Sequence, residues 1–446
     1  MACVPTLVGG LPLLGSLLEF LRHSDGLRMP PHAFLHFARR HPKARVLRLS
    51  LGPRPDMLLV LDPALARAIL KDAEAFPKGQ GYRALHAVTP GHLPGLDGAA
   101  AVRKRRSVLQ LWHRPEFEAR LKAAIAPHTE RLAERIVAAT RARPLEACEA
   151  VRETTLRVLF EVVLGEAPDP ELVEALRLLM AEWQHRIVEL VPMQHWPRQR
   201  RVHEARERMR ACLRARLHAA RRMPVLRGDR VAGSLLRVLA DDEALSDDER
   251  VDLLFTLLAT GHENASSFMV WVLVCLAEHE ALQADVAREW TSADDETPAT
   301  DRFLKETLRL YPPIPLLSRR AKSREALHAL GIEAHVAGDP ELVIAPFVLH
   351  RLERIWGPET DAFVPERWRA PSTDMEAAYM PFSNGARACV GYQWAHLLVR
   401  SMLRALFGRG TPVRVCLSPD SGPVTPCLDI SLKPSGGRVS LFAICG

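Results

Sequence analysis

The sequence lacks the features that mark several classes of protein. Its eight cysteines lie far apart, without the paired spacing of a zinc finger or of a disulfide-stapled secreted domain. No glycine- or serine-rich linker and no internal repeat divides the 446 residues. The N-terminus also lacks the positively charged start of a signal peptide. We therefore expect one folded domain over residues 1–446, located in a reducing cytoplasm.

The N-terminal part has no apolar run long enough to cross a membrane. The apolar N-terminal segment, residues 1–20, contains most of the run TLVGGLPLLGSLLEFL (residues 6–21), which is interrupted by glycines and a proline and carries Glu19 near its end. The run is shorter than the ~20 residues that a spanning helix needs. The sequence predicts no integral membrane span, and it leaves peripheral contact with a membrane open.

Positive charge is in excess, with a formal net charge of +7 and a pI of about 9.1. Such a balance suits nucleic acid, anionic lipid or an acidic protein as a partner. The most basic stretch, residues 198–222, carries Glu204 and Glu207 among its arginines at helical spacing. This pattern is typical of a solvated helix face, so we expect no nucleic-acid partner.

The pattern of apolar residues predicts a mainly α fold with a minor β part (α+β). Residues 44–61 alternate apolar and polar positions around a Gly-Pro-Arg-Pro turn, which predicts a hairpin. Residues 63–409 have mostly helical periodicity. After Thr411, short strand-like runs such as VRVCL and LDISL return. A hydrophobic content of 48% is sufficient for a large core.

One long helix is predicted over residues 246–279. Ser246 and Glu249 form a capping box at its start, and its middle is apolar nearly all round, so we expect it to run through the protein centre. The sequence GHEN, residues 261–264, interrupts this apolar middle. Polar residues in a buried helix cost stability. The interruption therefore indicates a functional site.

One cysteine, Cys389, lies in the unusual segment PFSNGARACVG. A free cysteine is most often a buried structural residue that needs no special neighbours. Here Phe382, Gly385, Arg387 and Gly391 accompany it at offsets that should coincide by chance in roughly one window in several million. The neighbours therefore favour a metal-bound thiolate over a structural thiol.

The residue types around Cys389 fit a heme ligand. A thiolate needs backbone N–H donors and a close turn, which glycines at 385 and 391 allow. Arg387 can pair with carboxylates at the cofactor edge, and Phe382 can pack against an apolar face. Heme b (iron protoporphyrin IX) combines such a face, two carboxylates and an iron that accepts thiolate. A zinc site would need further ligands close by, and the sequence has none at the required spacing.

The segment FSNGARACVG resembles the heme-binding loop of the cytochrome P450 superfamily, whose pattern is Phe-x-x-Gly-x-Arg-x-Cys-x-Gly. The resemblance extends to KETLRLYPPIP, with Glu306 and Arg309 at Glu-x-x-Arg spacing, and to DAFVPERW, which supplies Arg367. It implies that these three residues form a buried ionic cluster that holds the cysteine loop. It covers nearly the whole chain, from about Leu11 onward, and its specific motifs lie in residues 259–391.

The same resemblance makes residues 246–279 the distal helix, with an oxygen-binding kink. The kink would hold Ala259, Gly261, Glu263 and Asn264. Proton delivery in the family uses a carboxylate followed by threonine, which corresponds here to Glu263 and Asn264. An amide does not relay a proton as a hydroxyl does. We expect His262 to pack locally rather than to bind iron.

Two further arginines are implied as contacts of the heme carboxylates. LLSRRA places Arg319 at the position where the family often has such an arginine, with the adjacent Arg320 as the alternative. DGAAAVRKRR places Arg105 at a second basic position, while Ala101 replaces the aromatic or histidine residue that usually precedes it. One cofactor contact is therefore expected to be missing.

The implied activity is that of a monooxygenase that uses O2 and two electrons to hydroxylate or otherwise oxidise a molecule of secondary metabolism. Asn264 leaves three routes open: substrate or water completes the relay, the enzyme uses peroxide, or the reaction is an oxidation without oxygen insertion. A different class, a heme-binding sensor or carrier without turnover, is separated from these by electron-dependent product formation. Asn264→Thr is predicted to change coupling more than substrate affinity.

The resemblance also implies partners. Substrate would contact segments near 79–98, 171–196, 258–263 and 314–317, which are rich in apolar residues, so a lipophilic small molecule such as a fatty acid, terpenoid or polyketide is expected. No flavin, nicotinamide or phosphate-loop fingerprint is present, since GQG at 79–81 lacks the third glycine. A separate electron donor, such as a ferredoxin or flavodoxin with its reductase, is therefore predicted.

Overall fold

The computed structural model describes residues 5–8, 15–23, 31–51, 56–112, 115–188, 196–222, 234–291, 296–333, 340–410, 412–434 and 439–445. Residues 1–4 and 9–14 of the predicted apolar N-terminal segment, the Gly-Pro-Arg-Pro turn at 52–55, and residues 189–195 of a predicted substrate segment lie outside these ranges. The described part is mainly helical with small sheets, which confirms the predicted fold class.

The helices are α1 (Leu17–Arg22), α2 (Pro31–Arg40), α3 (Pro63–Lys71), α4 (Gln80–Val88), α5 (Gly98–Trp112), α6 (Pro115–Ala138), α7 (Ala147–Leu164), α8 (Pro170–Val188), α9 (Trp196–Arg222), α10 (Leu235–Ala240), α11 (Asp247–Glu278), α12 (Glu280–Thr291), α13 (Pro298–Leu310), α14 (Arg324–Ala329), α15 (Pro346–Leu349), α16 (Glu353–Trp356), α17 (Thr373–Ala378) and α18 (Tyr392–Phe407). Short 3-10 helices span Leu93–Gly95, Pro365–Trp368, Gly385–Arg387 and Pro419–Ser421.

The strands are β1 (Thr6–Val8), β2 (Val46–Leu49), β3 (Met57–Val60), β4 (Leu145–Glu146), β5 (Leu317–Arg320), β6 (Glu341–Ile344), β7 (Val413–Leu417), β8 (Pro426–Leu428), β9 (Leu432–Pro434) and β10 (Ser440–Cys445). In the described residues, one sheet has the order β1-β2-β3-β6-β5, a second has β4-β10-β7, and β8 pairs with β9. Strands β2 and β3 are antiparallel, with Val46 opposite Val60, which confirms the predicted hairpin.

Of the two predicted C-terminal strands, one is confirmed and the other is wrong. VRVCL is β7, paired with β10. LDISL is not one strand, because β8 ends at Leu428, β9 begins at Leu432, and these two residues face each other across the hairpin. The backbone N–H of Asp429 donates to Ser431 O at 3.0 Å, which closes the turn. The alternation of apolar residues in LDISL thus marks the two sides of a tight turn.

Helix α11 forms the centre of the larger apolar core. Its predicted capping box is confirmed: Glu249 N donates to Ser246 Oγ at 3.2 Å, and Ser246 N donates to a Glu249 carboxylate oxygen at 3.0 Å. Most of its residues from Val251 to Leu276 are buried, and it packs against α7, α9, α13 and α18. Residues 259–264 therefore lie in the protein interior, although the helix continues through them without a break.

Helix α9 covers the basic stretch. Arg200 pairs with Glu204 at 3.0 Å and both side chains are at least half exposed, as expected of a solvated helix face. Within the described residues, no single helix combines the length and the apolar content needed to cross a membrane. Helices α11 and α12, which are bent relative to each other, together meet the requirements for a membrane span by length and composition alone.

Candidate functional site

A cavity of about 980 Å³ lies between the middle of α11 and the loop that carries Cys389. Most of its lining is apolar. It brings together many residues that the sequence singles out: Arg105, Ala259, Gly261, Glu263, Asn264, Arg319, Arg320, Phe382, Arg387, Cys389 and Gly391. Parts of every predicted substrate segment line it as well, including Tyr82, Trp183, Thr260 and Ile314. Gly385, Glu306, Arg309 and Arg367 are not part of its lining.

Backbone hydrogen bonds shape the loop around Cys389. The N–H of Cys389 donates to Phe382 O at 2.8 Å, and the N–H of Gly391 donates to Cys389 Sγ at 3.3 Å. Gly385 has φ of +71°, and a Cβ there would lie 2.6 Å from Leu70 O on α3. Only glycine satisfies both the turn and the close approach.

The thiol of Cys389 lies deep in the protein, yet its surface is open to the cavity. Burial raises its pKa, while the Gly391 N–H and the positive charge of Arg105 favour the thiolate. A cationic metal at the sulfur would compensate the buried anion. A group bound inside the cavity could therefore reach the sulfur.

Four cationic side chains gather at one end of the cavity, and we call them the cationic edge: Lys78, Arg105, Arg319 and Arg387. Lys78 interacts electrostatically with the other three, and Asp97 is the acidic group among them. Arg387 pairs with Asp97 at 2.5 Å. Burial among these cations lowers the pKa of Lys78 to about 7. Four cations against one carboxylate leave positive charge that a ligand with two carboxylates would balance.

Arg319 is the better placed of the two candidate arginines on β5. Its side chain is 2% exposed, and its Nε has no hydrogen-bond partner among the described residues. Its guanidinium lies 5.6 Å from the centre of the Tyr82 ring, which Lys78 Nζ approaches to 5.7 Å. Arg320 Nε is likewise buried without a hydrogen-bond partner among the described residues, so Arg319 is distinguished by its place beside Lys78 and Arg387. Arg319 Nη1 donates to Ser318 O at 2.8 Å, so the guanidinium keeps a free Nε–H beside the cavity, which fits an anionic ligand.

Lys78 and Asp97 were not identified from the sequence. Lys78 Nζ donates to the backbone oxygens of Leu93 and Leu96 at 2.9 and 2.7 Å, so it holds the turn before α5. Lys78 lies near Arg319 because the two residues form an isolated β-bridge between segments that are far apart in the chain. The only local signal is a lysine next to two glycines in FPKGQG, which has no characteristic spacing.

Glu263 is buried on the cavity wall and is held from the C-terminal hairpin. Its carboxylate forms an ion pair with Lys433 Nζ and accepts a hydrogen bond from Ser431 Oγ at 3.3 Å. Lys433 also contacts Asp429 at 2.7 Å. Burial acts to raise the pKa of Glu263, but Lys433 and the hydrogen bonds outweigh it, so the pKa lies below its usual value. Neither Lys433 nor Asp429 was identified as a site residue from the sequence.

Asn264, Gly261 and His262 on α11 each make different local contacts. Asn264 Nδ2 donates to Thr260 O at 3.3 Å, and its Oδ1 is buried without a hydrogen-bond partner among the described residues. A Cβ at Gly261 would lie 3.1 Å from Leu159 Cδ2, so Gly261 allows α11 to approach α7. His262 is buried, and burial lowers the pKa of its ring, which agrees with local packing.

The ionic cluster lies outside the cavity. Glu306 accepts hydrogen bonds from Arg309 at 2.8 and 2.9 Å and from Arg367 at 3.0 Å. Trp368 Nε1 donates to its second oxygen at 2.9 Å. Glu306 and Arg309 are fully buried. Both oxygens of the Glu306 carboxylate accept hydrogen bonds, so the ionic cluster is suited to a structural role.

Comparison with known proteins agrees with this geometry. The family model described as Cytochrome P450 matches residues 5–409. The protein LUTEIN DEFICIENT 5, chloroplastic, of Arabidopsis thaliana is 26% identical, over 78% of this chain and 64% of that protein. Carotene epsilon-monooxygenase, chloroplastic, of the same plant is 24% identical, over 78% of this chain and 71% of that protein. Cyclooctatin synthase of Streptomyces melanosporofaciens is 29% identical, over 90% of this chain and 88% of that protein. The chain thus spans less than two thirds of the length of LUTEIN DEFICIENT 5.

Proposed function

We propose, since this chain belongs to the cytochrome P450 family, that it is a heme-thiolate monooxygenase acting on a lipophilic small molecule with O2 and two electrons. The observation that carries this proposal is the placement of the Cys389 sulfur and the cationic edge on one cavity. A thiolate ligand and a site for two carboxylates are what heme b requires. When bound, heme would supply the activation of dioxygen; the remaining steps depend on the protein.

The residues around the cavity have distinct proposed roles in holding the cofactor. Cys389 would bind the iron, and Phe382 would pack on the apolar face. The cationic edge would bind the carboxylates, with Lys78 compensating for the contact that Ala101 lacks. The ionic cluster of Glu306, Arg309 and Arg367 would act through the position of the loop, without touching the cofactor.

Glu263 is the proposed source of protons. It is the carboxylate of α11 that lines the cavity, and Lys433 keeps it ionised and therefore able to accept a proton. Asn264 can donate or accept a hydrogen bond but does not relay a proton. We therefore assign the final transfer to a water molecule or to a substrate hydroxyl, in preference to peroxide use or an oxidation without oxygen insertion.

The substrate is proposed to be lipophilic because the cavity lining is mostly apolar. Leu257, Ile314 and Trp183 are among the apolar side chains that line it. One relative is named for carotene, an apolar molecule, which agrees with this proposal. Burial of apolar substrate surface would supply the binding energy and exclude water.

Electrons are proposed to come from a separate acidic donor of the ferredoxin or flavodoxin type. Leu109 on α5 and Tyr392, close to Cys389 in the chain, are exposed large apolar residues outside the cavity lining. Together with the net charge of +7 they suit a donor surface with an apolar centre and an acidic rim. A cytoplasmic location is proposed because the eight cysteines lie far apart in the sequence, without the paired spacing of a disulfide-stapled domain.

The first test is the spectrum of the reduced protein with carbon monoxide. Thiolate and imidazole ligation give different bands, so the wild type should show the thiolate band. Cys389→Ser should lose it, while Cys416→Ser, at another free cysteine, should keep it. An unchanged spectrum in Cys389→Ser would contradict the assignment.

The second test separates an enzyme from a heme-binding sensor or carrier. The protein with its heme is supplied with a ferredoxin, its reductase and a panel of lipophilic compounds. Product that depends on electrons supports the monooxygenase. Stable thiolate-bound heme without product from any compound would support the sensor or carrier.

A further inference from the structure

The cavity extends along one face of the larger sheet, where β6 lies between β3 and β5. In that sheet Glu341 lies between Met57 and Arg320, one on each neighbouring strand. Ser318 lies opposite Val343. Residues directly opposite each other, and residues two apart on one strand, point to the same face of a sheet. All five residues line the cavity, and together we call them the sheet-side lining.

Arg320 lies apart from the cationic edge. It follows Arg319 on β5, so the two side chains project from opposite faces of the strand. The charges that act most strongly on Lys78, at the cationic edge, include that of Arg319 but not that of Arg320. Arg320 is therefore left out of the set of cations assigned to the cofactor carboxylates.

The guanidinium of Arg320 is unpaired in the described part of the chain. Its Nε is buried without a hydrogen-bond partner, and the group forms no ion pair with any residue that the structure describes. The residue as a whole is half-buried. A buried N–H of a cation that meets no acceptor costs free energy, which an anionic ligand recovers by accepting its hydrogen bond. Arg320 is thus free to bind an anion that enters the cavity.

The carboxylate directly opposite Arg320 is committed to another element. Glu341 accepts hydrogen bonds from Gln80 N at 2.9 and 3.1 Å, and Ser318 Oγ donates to the same carboxylate. The Glu341 side chain thus caps the start of α4. Burial raises its pKa, and the cation that acts most strongly on it is Arg83 on α4. Glu341 therefore does not serve as the counter-ion of Arg320.

Another carboxylate, Glu74, lies where the cavity reaches the surface. Its side chain is 89% exposed and pairs at 3.6 Å with Lys322, which is 64% exposed. Both residues line the cavity, and Lys322 follows Arg320 by two positions. Because Glu74 pairs with Lys322 and Glu341 caps α4, Arg320 remains the charged group of this part of the lining without a partner among the described residues.

We propose that Arg320 binds the carboxylate of a lipophilic acid, so that the substrate is an amphipathic anion with its polar end at the sheet-side lining. The proposal rests on the proposed function, because it names the class of substrate for the same cavity. Met57 and Val343, 6% and 4% exposed, would contact the apolar part of the acid next to its carboxylate. A guanidinium binds a carboxylate through two parallel charge-assisted hydrogen bonds, which the neutral ester of the same molecule does not accept as strongly.

The strand also sets a minimum length for such an acid. Leu317 lines the cavity three residues before Arg320, which is about 10 Å along an extended strand. Ile314 lines the cavity before Leu317 in the chain. An acid that contacts both Arg320 and Leu317 must therefore extend over about 10 Å or more. A short acid reaches one of the two residues and should bind weakly.

The experiment measures binding to the heme-loaded protein by isothermal titration calorimetry at about pH 8, where carboxylic acids, with pKa values of about 4, are ionised. The probes are dodecanoate, hexadecanoate and abietate, each compared with its methyl ester, and butyrate as the short acid. Arg320→Met removes the charge, and Arg320→Lys keeps the charge without the planar guanidinium. Arg288→Met, which breaks an exposed pair with Asp285 on α12, is the matched control.

The acids and the esters should respond differently to Arg320→Met. The wild type should bind at least one of the long acids about tenfold or more tightly than its ester, and butyrate more weakly than that acid. In Arg320→Met the dissociation constant of the acid should rise until this preference is lost, whereas that of the ester should change less than about twofold. Arg320→Lys should retain part of the preference, and Arg288→Met all of it. Heme should stay bound in Arg320→Met and be lost faster in Arg319→Met.

Three results would overturn the proposal. Equal weakening of acid and ester binding in Arg320→Met would assign Arg320 a role in packing. An absence of preference for any acid over its ester in the wild type would leave Arg320 as a solvated side chain. Loss of heme from Arg320→Met as fast as from Arg319→Met would make Arg320 a contact of the cofactor.

Failure of this proposal and failure of the proposed function can be told apart. Calorimetry detects a bound acid whether or not the protein oxidises it. An acid preference that Arg320→Met abolishes, without product from any acid, keeps the anion site and contradicts the monooxygenase. Electron-dependent product from neutral compounds, without preference for acids, keeps the monooxygenase and contradicts the role of Arg320.

Discussion

The imidazole of His350 accepts a hydrogen bond from the backbone N–H of Met380, at the start of the cysteine loop, with 3.0 Å between Met380 N and His350 Nε2. Its other nitrogen, Nδ1, lies 2.9 Å from Arg309 O on α13. Since Nε2 accepts, Nδ1 carries the proton and donates. One buried ring therefore links the ionic cluster to the segment that leads to Cys389.

Replacement of His350 by phenylalanine should loosen this link. Met380 N and Arg309 O would each be left buried without a partner, at a cost of about 1–3 kcal/mol for each group. We expect a lower midpoint of denaturant unfolding and faster loss of heme to an acceptor protein. His328→Phe, on the exposed side of α14, is the control. Equal heme loss in the two variants would show that His350 has no part in holding the loop.

The same histidine should make the protein sensitive to acid. Burial lowers the pKa of His350 to about 3 in the folded state, against about 6.5 when unfolded. Between these values the unfolded chain binds more protons, so the free energy of unfolding should fall as pH decreases from about 6.5. Unfolding curves at several pH values should therefore show a weaker pH dependence in His350→Gln. An equally steep dependence would assign the acid sensitivity to other groups, of which His92, with a pKa of about 3, is the first to test.

The ionic cluster should be essential for stability. Glu306→Gln would leave Arg309 buried without its counter-charge and should cost ~3–5 kcal/mol of unfolding free energy. Glu204→Gln breaks an exposed pair with Arg200 and should cost no more than about 1 kcal/mol. Urea unfolding of both variants checks the difference, and similar losses would argue against a structural role of the cluster.

Lys78 should affect the pH dependence of stability and the retention of heme. Its pKa of about 7, lowered by burial among cations, means that its charge destabilises the folded protein without heme. That penalty is full below about pH 7 and decreases as pH rises toward the unfolded value of 10.5. Lys78→Met removes the charge together with the hydrogen bonds to Leu93 O and Leu96 O. The heme-free variant should therefore lose this rise in stability between about pH 7 and 10.5, and heme retention should weaken. Unchanged heme retention in Lys78→Met would contradict the carboxylate-binding role of the cationic edge.

The sequence predicted those features that depend on short segments. The cysteine loop, the capping box of Ser246 and the Glu306–Arg309 spacing are readable because their residues lie within a few positions of one another. Lys433 and Lys78 were missed because each meets its partners through packing between segments far apart in the chain. The turn in LDISL was read as a strand because alternation alone does not show where a hairpin reverses. His350 has no local pattern, since both of its partners are backbone atoms of other elements.

Asn264→Thr should change how electrons are used more than how substrate binds. Asn264 Oδ1 has no partner among the described residues, and Nδ2 is engaged with Thr260 O, so the amide contributes no mobile proton. A threonine hydroxyl at this position can pass a proton from Glu263, and product per electron pair should rise, with little change in the substrate dissociation constant. Asn264→Val, similar in shape to threonine but without the hydroxyl, is the matched control and should not show the gain. Equal coupling in all three proteins would mean that protons reach the cavity without the side chain of residue 264.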